Sequence, residues 1–536
     1  MINKKVRISE TLTRATVILF GATAFSYFTG IIFQIILAHY FGISPEMDAY
    51  QFAFSLYDVI TVMIGVTIQV ILIPIYIKLL HEKNDVSVEE FTSTIFTVIF
   101  ILATSISITG YILFPIIITK FTKFFGGNAQ LARDLLRVFS TLIIPSTLSA
   151  LIVSILNARK HFSTPAILNA LLGILPICLI LIAANVLGIY SLLFGTALSF
   201  IANFFFVYLF FKRSHIIKFR LKLNHPAIKT AILLGIPAFF SIAGAQINTM
   251  VDRLMASTLQ TGSISSLFYA KSIREIPLTL FIAPLVLSVF PSFSEAAVNN
   301  DRSGIVRLFS LSIRLTIFML LPAMAWLLIL GESFIELFLQ HGVFSINASF
   351  NTYNVLIFYL AGLVFYGFII FQAKLFYALQ RIKIVIYIGL LSIISNIILN
   401  YILMKMFGVV GLALSTSVIE ISFSAVMFYI IKKILKQIDG KRITETFLKV
   451  MVASAVMGAF VYTSLLGVKY FWSVDSIYCR LLALIVPGIF GIVIYLVMSL
   501  ILKINEFRFI VEQASTMMPF RLFGFGRLGS LWGKNQ

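Results

Sequence analysis

Apolar residues run through this chain in long blocks separated by short polar stretches. Each block is close to the roughly 20 residues that a helix needs to cross the hydrocarbon of a bilayer. Fourteen such blocks lie near 16–38, 50–78, 92–118, 136–157, 164–186, 190–211, 228–252, 267–293, 308–330, 352–378, 384–404, 409–431, 447–467 and 480–502. Most contain a Gly or a Pro, which is ordinary in membrane helices. The first block is too long for the core of a signal peptide and lacks a small-residue cleavage pattern, so it is expected to be the first spanning helix. The pattern predicts an all-α polytopic membrane protein with about fourteen transmembrane helices.

Composition agrees. Of 536 residues, 60% are hydrophobic and 12% are charged, which excludes a disordered chain, a coiled coil and an ordinary soluble enzyme. The net charge of +20 could mark a nucleic-acid partner. Position decides against that reading. With the N-terminus in the cytoplasm and the helices alternating, 29 Lys and Arg fall in inside segments and seven in outside ones. That is the positive-inside bias of a membrane protein with both termini cytoplasmic, and no nucleic-acid partner is expected. Cys178 and Cys479 sit in or beside apolar runs and form neither a disulfide framework nor a thiol metal site.

An internal repeat appears at a period near 220. Aligning Ala158 with Ala378 pairs NARKHFSTPAILNALLGILPICLIL with YALQRIKIVIYIGLLSIISNIILNY, and Gly188 and Gly408 then open the next helices at the same offset. Earlier, Phe52-Ala53 matches Tyr269-Ala270 and Pro74 matches Pro291. An even number of helices per copy makes a parallel repeat, as in two-lobed transporters. The expected organisation is an N-lobe at 1–222 (helices 1–6), a C-lobe at 223–440 (helices 7–12), a further helix pair at 441–505 and a basic cytoplasmic tail at 506–536.

Ionisable residues inside apolar segments are costly, at least ~2.5 kcal/mol on insertion scales, and mark functional sites by default. Asp58 lies in helix 2, with Asp48 at the start of that helix. Asp252 and Arg253 lie near the end of helix 7, Arg314 in helix 9, Lys374 in helix 10 and Glu420 in helix 12. Arg314 and Lys374 are placed to snorkel toward an interface. Helix 8 carries the densest group: Lys271 and Arg274 share a face at i, i+3, while Glu275 can pair with Lys271 at i, i+4. Pro277 follows and should loosen the helix. A cationic face of this kind suits a pyrophosphate; a self-neutralised patch at a helix end is the bland alternative. No P-loop, Gly-x-Ser-x-Gly or His-Glu-x-x-His motif is present, and the loops are too short for a catalytic domain, so the protein is not expected to be an enzyme. The tail mixes Arg508, Arg521, Arg527 and Lys534 with Phe, Leu and Trp532, a composition suited to an anionic membrane surface or to a disordered segment.

Several phrases resemble the MurJ (MviN) family of lipid II flippases, within the multidrug/oligosaccharidyl-lipid/polysaccharide exporter superfamily. They are Ala38-His39-Tyr40-Phe41-Gly42 leading to Asp48-Ala49-Tyr50; Ser263-Ile264-Ser265 leading to Phe268-Tyr269-Ala270 and Glu275-Ile276-Pro277; and Leu339-Gln340-His341-Gly342-Val343-Phe344-Ser345. The resemblance spans about residues 10–505. It implies two six-helix lobes plus two helices, and movement of an undecaprenyl-pyrophosphate-linked peptidoglycan precursor, or a related lipid-linked glycan, across the bacterial cytoplasmic membrane by alternating access. It also implies a central cationic cavity for the head group and a groove at helices 13 and 14 for the lipid tail. Cell-wall synthases and membrane lipids are the implied partners, with no catalytic residue.

The substrate-binding candidates are the charged residues Asp48, Asp58, Lys271, Arg274 and Glu275, together with Ser272, which the resemblance adds by position. Family arginines of helices 1, 2 and 8 fall on Tyr27, Phe33, Thr61 and Ser272 here. Some members bind sodium, and the matching residues are Asp252, Asn396, Asn400, Leu412 through its carbonyl, and Thr416. Where that site can hold a second carboxylate, this chain has Asn400; interhelical hydrogen bonding is the alternative role for these residues. Sodium or the membrane potential is the expected driving force. Two other functions stay open: a cation-coupled small-molecule exporter of the same superfamily, with Asp58 as its acidic residue, and a non-transporting scaffold for a glycan synthase.

Overall fold

The structure is a computed structural model that describes residues 2–82, 85–124, 126–159, 161, 163–212, 219, 221–222, 226–471 and 477–517. Among these the chain is helical and contains no strand. The helices are α1 (Ile2–Phe41), α2 (Pro45–His81), α3 (Asp85–Phe121), α4 (Gly126–Ala158), α5 (Ser163–Leu172), α6 (Ile174–Leu187) and α7 (Ile189–Lys212). They continue as α8 (Pro226–Ala256), α9 (Ser263–Pro277), α10 (Ala283–Val298), α11 (Arg302–Phe338), α12 (Ile346–Leu360) and α13 (Leu363–Ala378). The last are α14 (Ile382–Phe407), α15 (Val409–Leu435), α16 (Gly440–Phe471), α17 (Ile477–Ile501) and α18 (Asn505–Met517).

Among the described residues, twelve helical segments are long and apolar enough to cross a membrane, thirteen with α12 and α13 taken as one broken span. This is an all-α, multi-pass membrane protein. Helix 7 of the expected fourteen is α8, whose described apolar stretch, Pro226–Ile236, is shorter. Helices are the natural outcome, because a bilayer offers no partner for an open backbone N–H or carbonyl.

Local chemistry sets the breaks. Ser44 caps α2 by accepting from the Met47 N–H at 3.2 Å, and Pro45 follows at the first helical position, where its missing N–H costs nothing. Pro277 ends α9, and a π-helical turn at Leu278–Ile282 follows before α10; this is the predicted loosening of helix 8. Gly188 and Gly408, matched in the repeat, both adopt left-handed backbone, with φ of 53° and 61°. The paired residues Phe52, Ala53, Tyr269 and Ala270 are all fully buried. At Asp301 the carboxylate accepts from the Gly304 N–H and the Ser303 hydroxyl, which holds its pKa below the usual value.

Two compact units divide the chain. The first comprises residues 1–273, 338–359 and 382–419. In it α2 packs on α4 and α8, α3 on α4, α14 on α8, and α6 on α7. Ile64, Leu72, Tyr76, Phe91, Leu151 and Phe211 are at its core. The second comprises residues 274–337, 360–381 and 420–536, with α16 packed along α17 and α10 against α13. In it Tyr495 of α17 donates to the Phe318 carbonyl of α11 at 2.7 Å. The positions Lys83, Lys160, Arg213, Lys218 and Arg220, and the tail beyond 517, lie outside the described residues.

Candidate functional site

Helix α8 presents Thr249, Asp252 and Arg253 at i, i+3 and i+4. Adjacent residues on a helix point apart, and Asp252 and Arg253 do reach different helices. Arg253 Nη1 donates to the Gln51 carbonyl of α2 at 2.9 Å. Asp252 Oδ1 accepts from Asn396 at 3.1 Å and from Asn400 at 2.6 Å, both on α14. Asn400 also donates to Asn396 Oδ1 at 3.1 Å. The two amides are buried and share a face because they are one turn apart. Asn400 Oδ1 is buried with no hydrogen-bond partner. Lys271 Nζ of α9 donates to Thr249 Oγ1 at 3.3 Å. Asp58 of α2 lies within electrostatic reach of Arg253 and Lys271, and Asp252 is within reach of the same two cations. Within the first unit, then, two carboxylates and two cations gather around three amide and hydroxyl side chains.

Thr416 Oγ1 donates to the Leu412 carbonyl one turn back at 3.1 Å. The structure thus groups the sodium candidates in two sets, Asp252 with both asparagines, and Leu412 with Thr416. The donor set of the first is all oxygen, as a hard cation requires, and the unpartnered Asn400 Oδ1 offers a lone pair to one. The residues therefore fit sodium in their chemistry.

Asp48 is engaged elsewhere in the first unit. Its carboxylate accepts from the Gly262 N–H (2.5 Å), the Ser265 N–H (2.8 Å) and the Ser265 hydroxyl (2.6 Å). This caps the N-terminus of α9 with a negative charge, where exposed N–H groups and the helix dipole favour it. The third family phrase joins the other two. Val343 N–H donates to the His39 carbonyl at 3.0 Å, and the Tyr269 and Phe344 rings meet edge to face at 5.4 Å. At Gly342, with φ of 61°, a Cβ would lie 2.2 Å from the His39 carbonyl oxygen, so only glycine fits there.

In the second unit Arg274 is buried, its side chain 4% exposed, and it pairs with Glu420 of α15, which is 9% exposed. The guanidinium lies 5.2 Å from the Tyr366 ring centroid, a cation–π distance. Glu275 is exposed and Ser272 half-buried. Arg314 pairs with Glu506 of α18, which also accepts from Thr446 of α16 at 3.3 Å. Lys374 lies over the Phe290 ring at 5.2 Å. Sequence reasoning singled out both Arg274 and Glu420 but not their pairing, and missed Gln51, Tyr366, Thr446 and the role of Glu506. No local pattern marks these, because each contact joins residues far apart in the chain.

A profile described as lipid II flippase MurJ matches residues 37–483. The chain belongs to the MurJ family. A probable lipid II flippase MurJ from Borreliella burgdorferi is 26% identical over 512 residues, covering 93% of this chain and 99% of its own length. Lipid II flippase MurJ from Burkholderia cenocepacia is 24% identical over 436 residues, covering 79% and 84%. Among solved structures, lipid II flippase MurJ in an inward closed conformation superposes with a TM-score of 0.77 at 26% identity, covering 90% of this chain and 98% of that one. An inward-facing multidrug resistance MATE transporter superposes at 0.67 with 15% identity, covering 77% and 94%; this likeness concerns the fold alone. The MurJ resemblance drawn from the short phrases is thus confirmed. At the positions of the missing family arginines, Tyr27 is exposed, Phe33 is half-buried, and Thr61 Oγ1 donates to the Tyr57 carbonyl at 3.0 Å.

Proposed function

We propose that this chain carries lipid II from the inner to the outer leaflet of a bacterial cytoplasmic membrane, with both termini cytoplasmic. The observation that carries this reading is the charge cluster Asp58, Arg253, Asp252 and Lys271 within apolar helices of a MurJ family member. Ionisable groups persist at such depth when they face a polar ligand or one another. Lys271, with Arg253 nearby, supplies the positive charge for a pyrophosphate, and Asp58 balances it between substrates. Arg274 acts as a positioning residue, since Glu420 already takes its charge. The lobes 1–222 and 223–440 expose the head group alternately to the two sides, and α16 with α17 accompanies the polyprenyl tail. Asp252, Asn396 and Asn400 are the ligands for a sodium ion, which would supply a coupling gradient in a chain without an ATP motor. The membrane potential is the other source. Cell-wall synthases that consume the product are the natural partners.

A second substrate has one observation in its favour. Tyr27, Phe33, Thr61 and Ser272 stand where family arginines are expected, which reduces the positive charge available to the head group and leaves a related polyprenyl-linked glycan as the alternative cargo. Depletion of the protein in its native host, followed by mass spectrometry of polyprenyl-pyrophosphate lipids, separates the two. Accumulated lipid II is the expected result. Unchanged lipid II with another lipid-linked glycan accumulating would retain the mechanism and replace the cargo.

A further inference from the structure

Lys271 stands in an unusual position relative to the sodium ligands. Its ammonium bonds Thr249 Oγ1 at 3.3 Å, and Thr249 lies one turn before Asp252 on the same face of α8. A covalently tethered cation therefore sits beside the carboxylate that a sodium ion would need. Asp58 and Asp252 are two carboxylates facing two cations, Arg253 and Lys271, so the four groups balance when all are ionised. Asn400 adds no charge, and its buried Oδ1 has no hydrogen-bond partner. The oxygen-bearing side chains are gathered around Asp252, while the surplus negative charge that would draw in a cation is offset by the two cations.

We propose that Lys271 is a resident counter-cation that competes with sodium for Asp252, and so sets the sodium affinity of the Asp252–Asn396–Asn400 site. This rests on the sodium reading above. The physical reason is the repulsion between an ammonium and a sodium ion that share the field of one carboxylate in a medium of low polarity. The lysine stem is long and flexible, and Asp58 on α2 offers the ammonium a second carboxylate. Sodium enters when the ammonium moves away from Asp252 and is weakened when it returns. A side chain of this chain thereby does at Asp252 what a dissolved ion does in a site with more carboxylates.

The test is a sodium titration of thermal unfolding on the full-length protein in detergent. N-methylglucamine chloride holds the ionic strength constant. Wild type, Lys271→Gln, Lys271→Arg and Lys271→Gln/Asp252→Asn are compared. The expected result is that Lys271→Gln needs about tenfold less sodium than wild type for the same stabilisation. Lys271→Arg should behave as wild type, and adding Asp252→Asn to Lys271→Gln should remove the response. Binding of radioactive sodium to membrane vesicles bearing the same variants gives the comparison without purification. Equal sodium midpoints for wild type and Lys271→Gln would overturn the competition while sparing the sodium site. A sodium response that survives in Lys271→Gln/Asp252→Asn would overturn the site assignment. The absence of any sodium response in all variants would sink the sodium reading and this inference together.

Discussion

Arg274 brings a full positive charge into a buried position, and Glu420 meets it there. Removing one member of such a pair leaves the other uncompensated, at a cost on the order of 3–5 kcal/mol, whereas removing both is far cheaper. Arg274→Gln is therefore expected to lower the unfolding temperature sharply, and adding Glu420→Gln should restore most of it. Thermal unfolding of the two single variants and the double variant measures the coupling; additive losses would show that the pair is not a unit. Asp48 makes a related prediction with a different mechanism. Asp48→Ala strips an N-terminal cap of three hydrogen bonds from α9 and should destabilise by roughly 1–3 kcal/mol, and Asp48→Asn, which keeps acceptor oxygens, should cost less. Denaturant titration of both variants tests the order. Lys271 differs from both, because it bonds a neutral hydroxyl on a neighbouring helix and has two carboxylates, Asp58 and Asp252, within electrostatic reach. Lys271→Gln should impair transport of lipid II in reconstituted vesicles while the protein stays folded. Transport at the wild-type rate would remove Lys271 from the head-group site.

At the scale of elements, α18 is tied to the second unit by more than its covalent link. Lys503 in left-handed backbone, with φ of 51°, turns the chain after α17. Ile504 is buried, and Glu506 enters the unit to meet Arg314 and Thr446. Arg314→Gln should release this helix. Hydrogen exchange over 505–517 is expected to quicken in the variant and to stay unchanged across α2–α4; equal protection of α18 in variant and wild type would show that the ion pair does not hold it. Helix α9 carries a different lesson. Lys271 and Arg274 share one face by spacing, yet one meets a hydroxyl on α8 and the other a carboxylate on α15. Spacing fixes direction along a helix, but the neighbouring helix decides what a charge finds there.

Across the whole molecule, the spans were legible because hydrocarbon thickness sets a length that apolar runs must match. The residues that the sequence paired stand in like settings, Gly188 and Gly408 in left-handed backbone and Phe52-Ala53 and Tyr269-Ala270 fully buried. The asparagines at 396 and 400 could be placed on one face from a spacing of four, and Asp252 was named beside them only through the family resemblance. Contacts between residues 146 apart, as in Arg274 with Glu420, leave no periodic trace in a single chain. The partner of Arg314 went unread for the same reason: Glu506 lies beyond the last span, in a segment whose composition resembled a tail.

Gly188 and Gly408 bear on how a map of tolerated substitutions should be read. Each closes a helix with a dihedral angle that side chains with a Cβ resist, and neither would have a heavy atom within 4 Å of an added Cβ. Saturation mutagenesis scored by growth should therefore flag both positions as intolerant although there is room for a larger residue. A reader of such a map would be tempted to assign them to the cargo. The intolerance would instead record the geometry of a turn that the chain makes at two places.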